Sequence, residues 1–425
     1  MNTATLTACG RKPPSSTRII ASASVGNALE WFDLVVYGFF AVTISRLFFP
    51  TGDDTISLLL TLGTFGVSFF MRPLGALVLG VYADRVGRRA TLTLSIVLMM
   101  LGTLLIAVMP TYDAIGLWAP AGIVIARMIQ GFSAGGEFGS ATAFLAEHTP
   151  NRRGFFASWQ VASQGLTTLL AAGFGAGLTQ YLTPEQLQSW GWRVPFFFGL
   201  LIGPVAYYIR TRIDETPDFL AAGPNETPLA DTFSQNRLRL LLAIGTVVLG
   251  TVATYLVLYM PTYAVKTLKI PQSAAFAATL VTGIVQFICA PLVGHWSDKH
   301  GRTGIMLVSA VLFGVVIYPL LHMLAQSPTF GTMIAVQIVI GILLSGYFGA
   351  LPALLSDLFP TRTRTTGMSL AYSIAVTVFG GFAPFIITWL ISTTGNPYAP
   401  SFYLIFAAVI SIAALIGVRG KLGLR

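Results

Sequence analysis

Apolar residues follow one another along most of this chain in long runs, which short polar stretches separate. A helix needs about 20 apolar residues to cross the hydrocarbon core of a bilayer. Irregular backbone cannot face lipid, so each run is predicted to be a helix. The first half has runs at 19–48, 56–80, 91–110, 116–146, 154–182 and 194–209, and the second half has runs at 239–264, 273–296, 304–325, 329–356, 366–392 and 402–418.

Composition supports a membrane setting. Of the 425 residues, 54% are hydrophobic and only 10% are charged, against about 25% charged residues in an average soluble domain. The net charge of +9 lies in short clusters between apolar runs, so it does not indicate nucleic-acid binding. Cys9 and Cys289 are far apart and predict neither a disulfide framework nor a metal site. The first 18 residues are polar, and no removable signal peptide is expected.

The positions of Lys and Arg predict the orientation, because cytoplasmic loops carry an excess of both. With both termini in the cytoplasm, Arg46, Arg193, Lys266 and Lys269 would lie outside, and Arg72 and Arg127 would lie within the membrane. The cytoplasmic set would hold the rest of the 25, namely Arg11, Lys12, Arg18, Arg85, Arg88, Arg89, Arg152, Arg153, Arg210, Arg212, Arg237, Arg239, Lys299, Arg302, Arg362, Arg364, Arg419, Lys421 and Arg425. An even number of helices is therefore expected.

Two cytoplasmic loops carry nearly the same string, each after the second run of its half. The first reads Gly80-Val-Tyr-Ala-Asp84-Arg85-Val-Gly87-Arg88-Arg89, and the second reads Gly294-His-Trp-Ser-Asp298-Lys299-His-Gly301-Arg302. Matching loops predict two parallel six-helix repeats that rock about a solute site near the midplane. We therefore interpret these loops as gating contacts, formed by Gly80, Asp84, Arg85, Gly87, Arg88, Asp298 and Arg302.

The repeat also predicts the domain boundaries. An N-terminal tail would cover residues 1–18, and the first six-helix bundle would cover 19–209. The stretch 210–238 contains three prolines and several acids, which is typical of a cytoplasmic linker. The second bundle would cover 239–418 and a C-terminal tail 419–425.

These loops resemble the signature G-x-x-[AS]-D-[RK]-x-G-R of the major facilitator superfamily, and Arg127-Met-Ile-Gln130-Gly131 resembles its second motif. Further motifs resemble the metabolite–proton symporters, a group with citrate, α-ketoglutarate, shikimate and proline/betaine carriers. They are Gly26-Asn27-Ala-Leu-Glu30-Trp31-Phe32-Asp33, Met71-Arg72-Pro73, Gly131-Phe-Ser-Ala-Gly135-Gly136-Glu137, Trp190-Gly191-Trp192-Arg193 and Phe379-Gly380-Gly381. The string Ser158-Trp159-Gln160 and the string Pro261-Thr262-Tyr263 look most like citrate and tricarballylate carriers. The second loop departs from the family pattern, with His300-Gly301-Arg302-Thr303 where a double Arg is usual.

The resemblance covers essentially the whole chain. It implies an all-α membrane protein with twelve transmembrane helices in two six-helix bundles related by a pseudo-twofold axis. It further implies a monomeric carrier in the cell inner membrane that uses protons, needs no cofactor and is not an enzyme.

Five ionisable side chains fall well inside the predicted helices, all in the first half: Glu30, Asp33, Arg72, Arg127 and Glu137. A charge at the bilayer centre costs about 2.5–3.5 kcal/mol even on the lenient insertion scale. These groups are therefore expected to face a cavity or to pair. At about 1.5 Å per residue, Arg72 and Glu137 both lie roughly 15 Å from the cytoplasmic ends of their helices, which predicts an ion pair between them.

The remaining charges suggest a proton and solute site. Glu30 and Asp33 share a helix face, and two close carboxylates repel, so one of them would hold a proton. We expect Asp33 or Glu30 to carry the proton, with Glu137 as the next candidate. Arg127 would bind a substrate carboxylate through its planar fork. The other predicted ligands are Asn27, Gln160, Gln164, Tyr37, Tyr255, Tyr259, Tyr347 and Tyr372.

Other interpretations stay open at this point. All five charges could form a structural network, single tyrosines often only pack, and Gln160 with Gln164 could join two helices. The same scaffold could carry a zwitterion or a neutral solute, because fold does not set substrate. A drug/proton antiporter typically has a Gly-Pro motif in the fifth helix, whereas 171–180 contains no proline. A membrane enzyme or sensor is disfavoured by the lack of a metal cluster, a Ser/His/Asp set or a phosphate loop.

Overall fold

The computed structural model describes residues 16–86, 88–135, 137–147, 152–211, 236–360 and 363–424. In this part of the chain every regular element is a helix. The helices form twelve spans, numbered 1 to 12 in chain order, and each overlaps one of the twelve predicted runs. The all-helical prediction is confirmed.

The first half holds six spans. Span 1 comprises Ser16–Phe39 and Ala41–Phe48, span 2 is Asp54–Val86, and span 3 is Arg88–Val108. Span 4 comprises Trp118–Ala134 and Glu137–Glu147, span 5 is Arg153–Tyr181, and span 6 is Val194–Thr211. Short helices at Tyr112–Ile115, Pro184–Ser189 and Gly191–Arg193 lie in the connections.

The second half holds the other six. Span 7 is Arg237–Lys266, span 8 is Gln272–His300, and span 9 is Arg302–Gln326. Span 10 comprises Phe330–Phe348 and Leu351–Leu358, and span 12 is Ala399–Leu422. Span 11 comprises Arg364–Ala375, a π-helical turn at Val376–Gly380, and Ala383–Thr394.

Several spans are interrupted rather than straight. Eight helices in the described residues are long and apolar enough to cross a membrane alone, and the two parts of span 1, bent by 71°, make a ninth. Span 10 divides at Gly349 and Ala350, and span 11 contains the π-helical turn Val376–Gly380. Broken helices are tolerated at membrane depth only where protein covers the freed backbone groups. The breaks therefore lie where the bundle interior can satisfy them.

The helix packing repeats between the halves. In the first half, spans 1 and 5, 1 and 6, 2 and 4, 3 and 4, and 3 and 6 pack together. In the second half the corresponding pairs, six spans further on, are 7 and 11, 7 and 12, 8 and 10, 9 and 10, and 9 and 12. The same pairing in two successive groups of six gives two bundles related by a pseudo-twofold axis. We call them the first and the second bundle.

Two contacts between the bundles follow the same symmetry: span 5 packs on span 8, and span 2 packs on span 11. The first contact depends on Gly165 and Gly283. A Cβ added at Gly165 would lie 2.9 Å from the Gly283 carbonyl oxygen, and one at Gly283 would lie 2.7 Å from that of Gly165. The two backbones therefore touch directly near the middle of both spans, as small residues permit in membrane helices.

Both ends of the interface between the bundles carry ionic contacts. At one end, named here the Asp298 end, Asp298 and Asp357 of the second bundle meet residues at the start of span 5. At the opposite end, named the Lys266 end, Lys266 Nζ of span 7 lies 2.7 Å from Asp54 Oδ2 of span 2. The bundles are thus in contact at both ends.

Several predicted features lie outside the described residues. The tail at 1–15, Gly87, residues 212–235 of the predicted linker and Arg425 belong to this group, as do the side chains of Asp84, Arg85 and Arg88. Gly80 lies on the helix of span 2, but its environment is also outside the description. The gating contact predicted for the first of the two repeated loops, and the domain boundaries, stay predictions.

The contact between spans 5 and 8 predicts a stability difference between two glycines of one helix. Gly165→Ala should lower the free energy of unfolding by about 1–3 kcal/mol, because the new methyl group overpacks against the backbone of span 8. Thermal unfolding of the purified protein in detergent measures this change.

The matched control is Gly177→Ala on the same span, where an added Cβ meets no atom within 4 Å. This variant should be neutral or slightly more stable, since alanine favours helix by up to about 1 kcal/mol. Equal melting temperatures for the two variants would contradict a close crossing at Gly165.

Candidate functional site

Four of the five predicted membrane charges line one cavity inside the first bundle. Glu30, Asp33, Arg72 and Arg127 surround it, together with Gln130. All are buried; Asp33 is 1% and Arg127 2% exposed. The cavity has a free volume of about 10 Å³, which is room for about one water molecule. The spans bring these charges together inside protein, away from lipid.

Arg72 pairs with Glu30 instead of the predicted Glu137. Arg72 Nη2 lies 3.1 Å from Glu30 Oε1, and the guanidinium lies 4.6 Å from the centre of the Phe69 ring. No ion pair among the described residues joins Arg72 to Glu137. Depth along each helix does not determine which side chains of neighbouring spans face each other, and Glu30 of span 1 is the carboxylate that faces Arg72. The predicted partner is therefore corrected to Glu30.

Arg127 is held by rings and an amide. Its guanidinium carbon lies 4.5 Å from the centre of the Tyr37 ring and 5.2 Å from that of Phe65. Its Nη1 donates a hydrogen bond of 2.8 Å to Gln130 Oε1, while its Nε is buried without a partner. Among the described residues Arg127 makes no direct ion pair with a carboxylate, although Asp33 lines the same cavity.

Hydrogen bonds link Arg127 to Asp33 through two uncharged side chains. Gln130 Nε2 donates a bond of 3.0 Å to Thr103 Oγ1, and Thr103 Oγ1 donates to Asp33 Oδ2. The other carboxyl oxygen, Asp33 Oδ1, is buried without a partner. Thr103 was missed by the sequence analysis, because one hydroxyl in an apolar run carries no signal of its own.

The three predicted amides take different roles. Asn27 Nδ2 donates to the backbone oxygen of Gln160 at 2.9 Å and to Ser163 Oγ at 2.7 Å, so it joins spans 1 and 5. Gln160 Oε1 accepts a bond from Thr142. Gln164 is buried, and neither its oxygen nor its nitrogen has a hydrogen-bond partner.

Gln164 lines a second cavity, which lies between the bundles. This cavity also has a free volume of about 10 Å³ and includes Trp31 of span 1, Thr254 of span 7 and Gln286 of span 8. Gln286 Nε2 is likewise buried without a partner. Amides from both bundles therefore face one small space, and Gln286 joins the candidate site although it was not among the predicted ligands.

One predicted tyrosine, Tyr37, packs against Arg127 as described above. The other four divide into two groups. Tyr347 donates to the backbone oxygen of Thr246 at 2.7 Å, and Tyr259 accepts a bond from Thr388 at 2.8 Å, so both hydroxyls join helices within the second bundle. Tyr255 and Tyr372 have buried hydroxyls without partners.

The two tyrosines without partners reach the first bundle. The ring of Tyr255 packs edge-on against Phe69 at 5.3 Å, and that of Tyr372 stacks on Phe138 at 3.6 Å. They bring hydroxyls of the second bundle to the charged cluster.

The Asp298 end contains the predicted gating residues of the second loop. Asp298 accepts bonds from the backbone N–H groups of Gly154 at 2.7 Å and Phe155 at 3.0 Å. These groups begin span 5, where the helix dipole favours an anion. Arg302 pairs with Asp298 at 3.5 Å and with Asp357, and Arg153 pairs with Asp357 at 3.3 Å. Asp298 and Arg302 thus belong to an ionic contact between the bundles.

Comparison with known proteins gives the same fold and a family. The Sugar (and other) transporter family matches residues 19–236, and the Major Facilitator Superfamily matches residues 242–421. A proton:xylose symporter of known structure superimposes with a TM-score of 0.78 at 16% identity, covering 96% of this chain and 95% of its own. A partially occluded, inward-open structure of the xylose transporter from E. coli gives a TM-score of 0.75 at 16% identity, covering 96% and 97%.

Curated relatives are more similar in sequence. The citrate-proton symporter of Klebsiella pneumoniae is 39% identical over 93% of this chain and 90% of its own length. The proline/betaine transporter of Escherichia coli K12 is 33% identical over 93% of this chain and 82% of its own. With twelve spans in two bundles, matching family patterns in both halves and these relatives, the chain belongs to the major facilitator superfamily, in its group of metabolite–proton symporters.

Proposed function

We propose that this protein takes up a small organic acid together with protons, and that the acid is citrate or a related tri- or dicarboxylate. The observation that carries the proposal is the buried guanidinium of Arg127, which makes no direct ion pair with a described carboxylate and keeps its Nε donor unbonded, beside the buried carboxyl group of Asp33. The names of the relatives, among them the citrate-proton symporter of Salmonella typhi at 38% identity, support this substrate class.

Arg127 is the proposed ligand of a substrate carboxylate. A guanidinium presents donors in a planar fork that matches a carboxylate, and the Nε of Arg127 has no partner in this closed arrangement. The rings of Tyr37 and Phe65 fix the cation from one side without neutralising it. A substrate carboxylate would accept the hydrogen bond that this donor lacks.

Amides and hydroxyls are the proposed ligands of the other substrate oxygens. Gln164 and Gln286 face the cavity between the bundles with buried amide atoms that have no hydrogen-bond partner. The hydroxyls of Tyr255 and Tyr372 are also buried without a partner. A buried polar group without a partner costs about 1–3 kcal/mol. Hydroxyl and carboxylate oxygens of the substrate would recover that cost.

A zwitterion is the second candidate substrate, because a proline/betaine transporter is among the relatives of this chain. A quaternary ammonium binds over aromatic faces, and Trp31 and Tyr255 pack together at 6.2 Å beside the second cavity. However, Arg72 already lies over Phe69 and Arg127 over Tyr37. Cations of the protein therefore already occupy two of the nearby ring faces, which leaves less aromatic surface for a quaternary ammonium.

Asp33 is the proposed proton carrier. Glu30 already has a guanidinium 3.1 Å away, which stabilises its ionised form. Asp33 has only the Thr103 hydroxyl on one oxygen and no partner on the other. Protonation of Glu30 would break its ion pair with Arg72, whereas protonation of Asp33 breaks no described ion pair. Glu137, which is also buried, remains the next candidate.

We place the Asp298 end at the cytoplasm of an inner membrane, with both chain termini on that side. Described Lys and Arg residues at this end include Arg153, Arg239, Lys299, Arg302 and Lys421, as the positive-inside rule expects. The cavities hold about one water each, so the bundles must separate at one end to admit a substrate. One chain contains both bundles, so the proposed carrier acts as a monomer.

Uptake into proteoliposomes tests proton coupling. The wild-type protein should accumulate labelled citrate only with an inward proton gradient, because the loaded and empty carriers must bind protons unequally. Asp33→Asn should abolish accumulation while some exchange of citrate across the membrane continues, since the neutral amide mimics the protonated acid.

Asp113→Asn removes an exposed carboxylate from the short helix Tyr112–Ile115 and should behave like the wild type. Accumulation that persists with a protonophore would exclude proton coupling. Accumulation that survives in Asp33→Asn would move the proton carrier to another residue.

Thermal stabilisation tests the substrate and the role of Arg127. A ligand at about 100 times its Kd stabilises the folded protein by about 2.7 kcal/mol. Citrate or tricarballylate should raise the melting temperature of the wild type, and Arg127→Lys should lose most of this shift, because lysine cannot bind a carboxylate with a planar fork.

The control is Arg419→Lys, an exposed residue near the end of span 12, which should keep the full shift. Stabilisation by proline or betaine alone would replace the organic acid by a zwitterion as the substrate. An undiminished citrate shift in Arg127→Lys would remove Arg127 from the binding site.

A further inference from the structure

The two side chains between Arg127 and Asp33 are both uncharged, and neither is needed to bind a proton or an anion. We propose that Thr103 and Gln130 are positioning residues that couple the two events, so that proton binding at Asp33 changes the availability of Arg127 to the solute. The inference rests on the proposed function, with Asp33 as proton carrier and Arg127 as anion ligand.

The chain of bonds is built into helix contacts of the first bundle. Thr103 on span 3 and Gln130 on span 4 are both buried. Their approach depends on Gly102: a Cβ there would lie 2.5 Å from Gln130 Cγ and 2.9 Å from the Ala126 carbonyl oxygen. The Gln130 side chain therefore crosses span 3 in a space that only glycine leaves open.

The Thr103 hydroxyl has one proton and two acceptors within reach. Besides Asp33 Oδ2, its Oγ1 lies 3.0 Å from the backbone oxygen of Met99. When Asp33 is ionised, the hydroxyl donates to the carboxylate. When Asp33 is protonated, the carboxylic acid can donate its own proton to Thr103 Oγ1, and the hydroxyl then turns to Met99. In both arrangements the Thr103 hydroxyl has a partner for each of its hydrogen bonds, because a hydroxyl donates once and accepts twice.

Gln130 carries this change to Arg127. Its amide directs Nε2 towards Thr103 and Oε1 towards Arg127, so the amide dipole is aligned between the carboxylate and the cation. Hydrogen bonds in such a chain polarise one another. Protonation of Asp33 removes the negative charge at one end, which weakens the hold on Arg127 and frees donors for a solute anion.

The coupling must be reciprocal. If the proton increases the affinity for the solute, the solute increases the affinity for the proton by the same factor. The carrier would then favour the empty and the fully loaded forms over the half-loaded ones, and a symporter that avoids leakage needs this preference.

Other groups around Asp33 do not depend on Thr103. The charged neighbours in the same cavity are Glu30 and Arg72, which pair with each other. Span 6 presents Gly199, where a Cβ would lie 2.7 Å from Asp33 Oδ1, so glycine there leaves the second carboxyl oxygen accessible. Tyr37, on the same span as Asp33, packs against Arg127, and Tyr255 reaches the cluster from span 7. A substitution at Thr103 leaves all of these in place.

The test is the pH dependence of solute affinity, measured with labelled citrate on the purified full-length protein. In the wild type, affinity should fall by about tenfold as the pH rises across the titration of Asp33, a coupling of ordinary size. Thr103→Val keeps the shape and removes the hydroxyl, and it should reduce this dependence to below about threefold while citrate still binds. Thr103→Ser should restore it.

Thr246→Val is the matched control, because the buried Thr246 hydroxyl donates to the Ala243 carbonyl oxygen of its own helix, away from the Asp33–Arg127 chain. This variant should keep the pH dependence of the wild type. If Thr103→Val does not fold, Gln130→Met breaks the chain at the next position and is measured in the same way.

The outcomes separate the two proposals. An unchanged pH dependence in Thr103→Val, or in Gln130→Met where it replaces that variant, would overturn the coupling role of this chain. Equal loss of pH dependence in Thr246→Val would show a general effect of destabilisation and would also overturn it. A wild type that binds citrate without any pH dependence would instead contradict proton coupling, and with it the proposed function.

Discussion

The cost of a charge in hydrocarbon governs the organisation of this protein. An isolated ionised side chain at the bilayer centre is destabilising by several kcal/mol, yet five such residues occur in the spans of the first bundle. Rings, amides and opposite charges surround four of them in one small cavity. The second bundle contributes hydroxyls, amides and aromatic edges to the same region. The proposed site for the proton and the anion therefore lies in one bundle, and the second bundle packs over it.

The two closures of the interface between bundles differ in strength. At the Asp298 end, Asp298 is 12% exposed and accepts two backbone bonds at a helix N-terminus, and two arginines share Asp357. At the Lys266 end, one acid, Asp54, is 67% exposed and meets Lys266 and Arg46. Exposed ion pairs contribute at most about 1 kcal/mol, so the ionic contact at the Lys266 end adds little to holding the bundles together.

Much of the fold could be predicted from the sequence, because hydrocarbon thickness and backbone hydrogen bonding leave few choices. Run lengths located all twelve spans, and the repeated loops around Asp84 and Asp298 indicated two bundles before any contact was known. The interruptions of spans 10 and 11 were not predicted, since satisfaction of backbone groups by neighbouring helices has no local sequence signal.

The site was predicted in part. The charged residues were found because a charge inside an apolar run is conspicuous, and the cavity brings Glu30, Asp33, Arg72 and Arg127 together. Partner choice was not predictable: Arg72 pairs with Glu30 of span 1, and depth along a helix does not determine which side chains of neighbouring helices face each other. Thr103 and Gln286 depend on tertiary contacts, and Tyr347 and Tyr259 resemble ligands in sequence although their hydroxyls join helices.

The crossing of Gly165 and Gly283 has a mechanical consequence. Where two helices meet through interlocking side chains, tilting one against the other disrupts packed rotamers along the seam. Here the touching surfaces are bare peptide backbone, which has no rotamers to disturb. The crossing can act as a fulcrum, so a small rotation that spreads the bundles at one end brings them closer at the other without lengthening the contact at the centre.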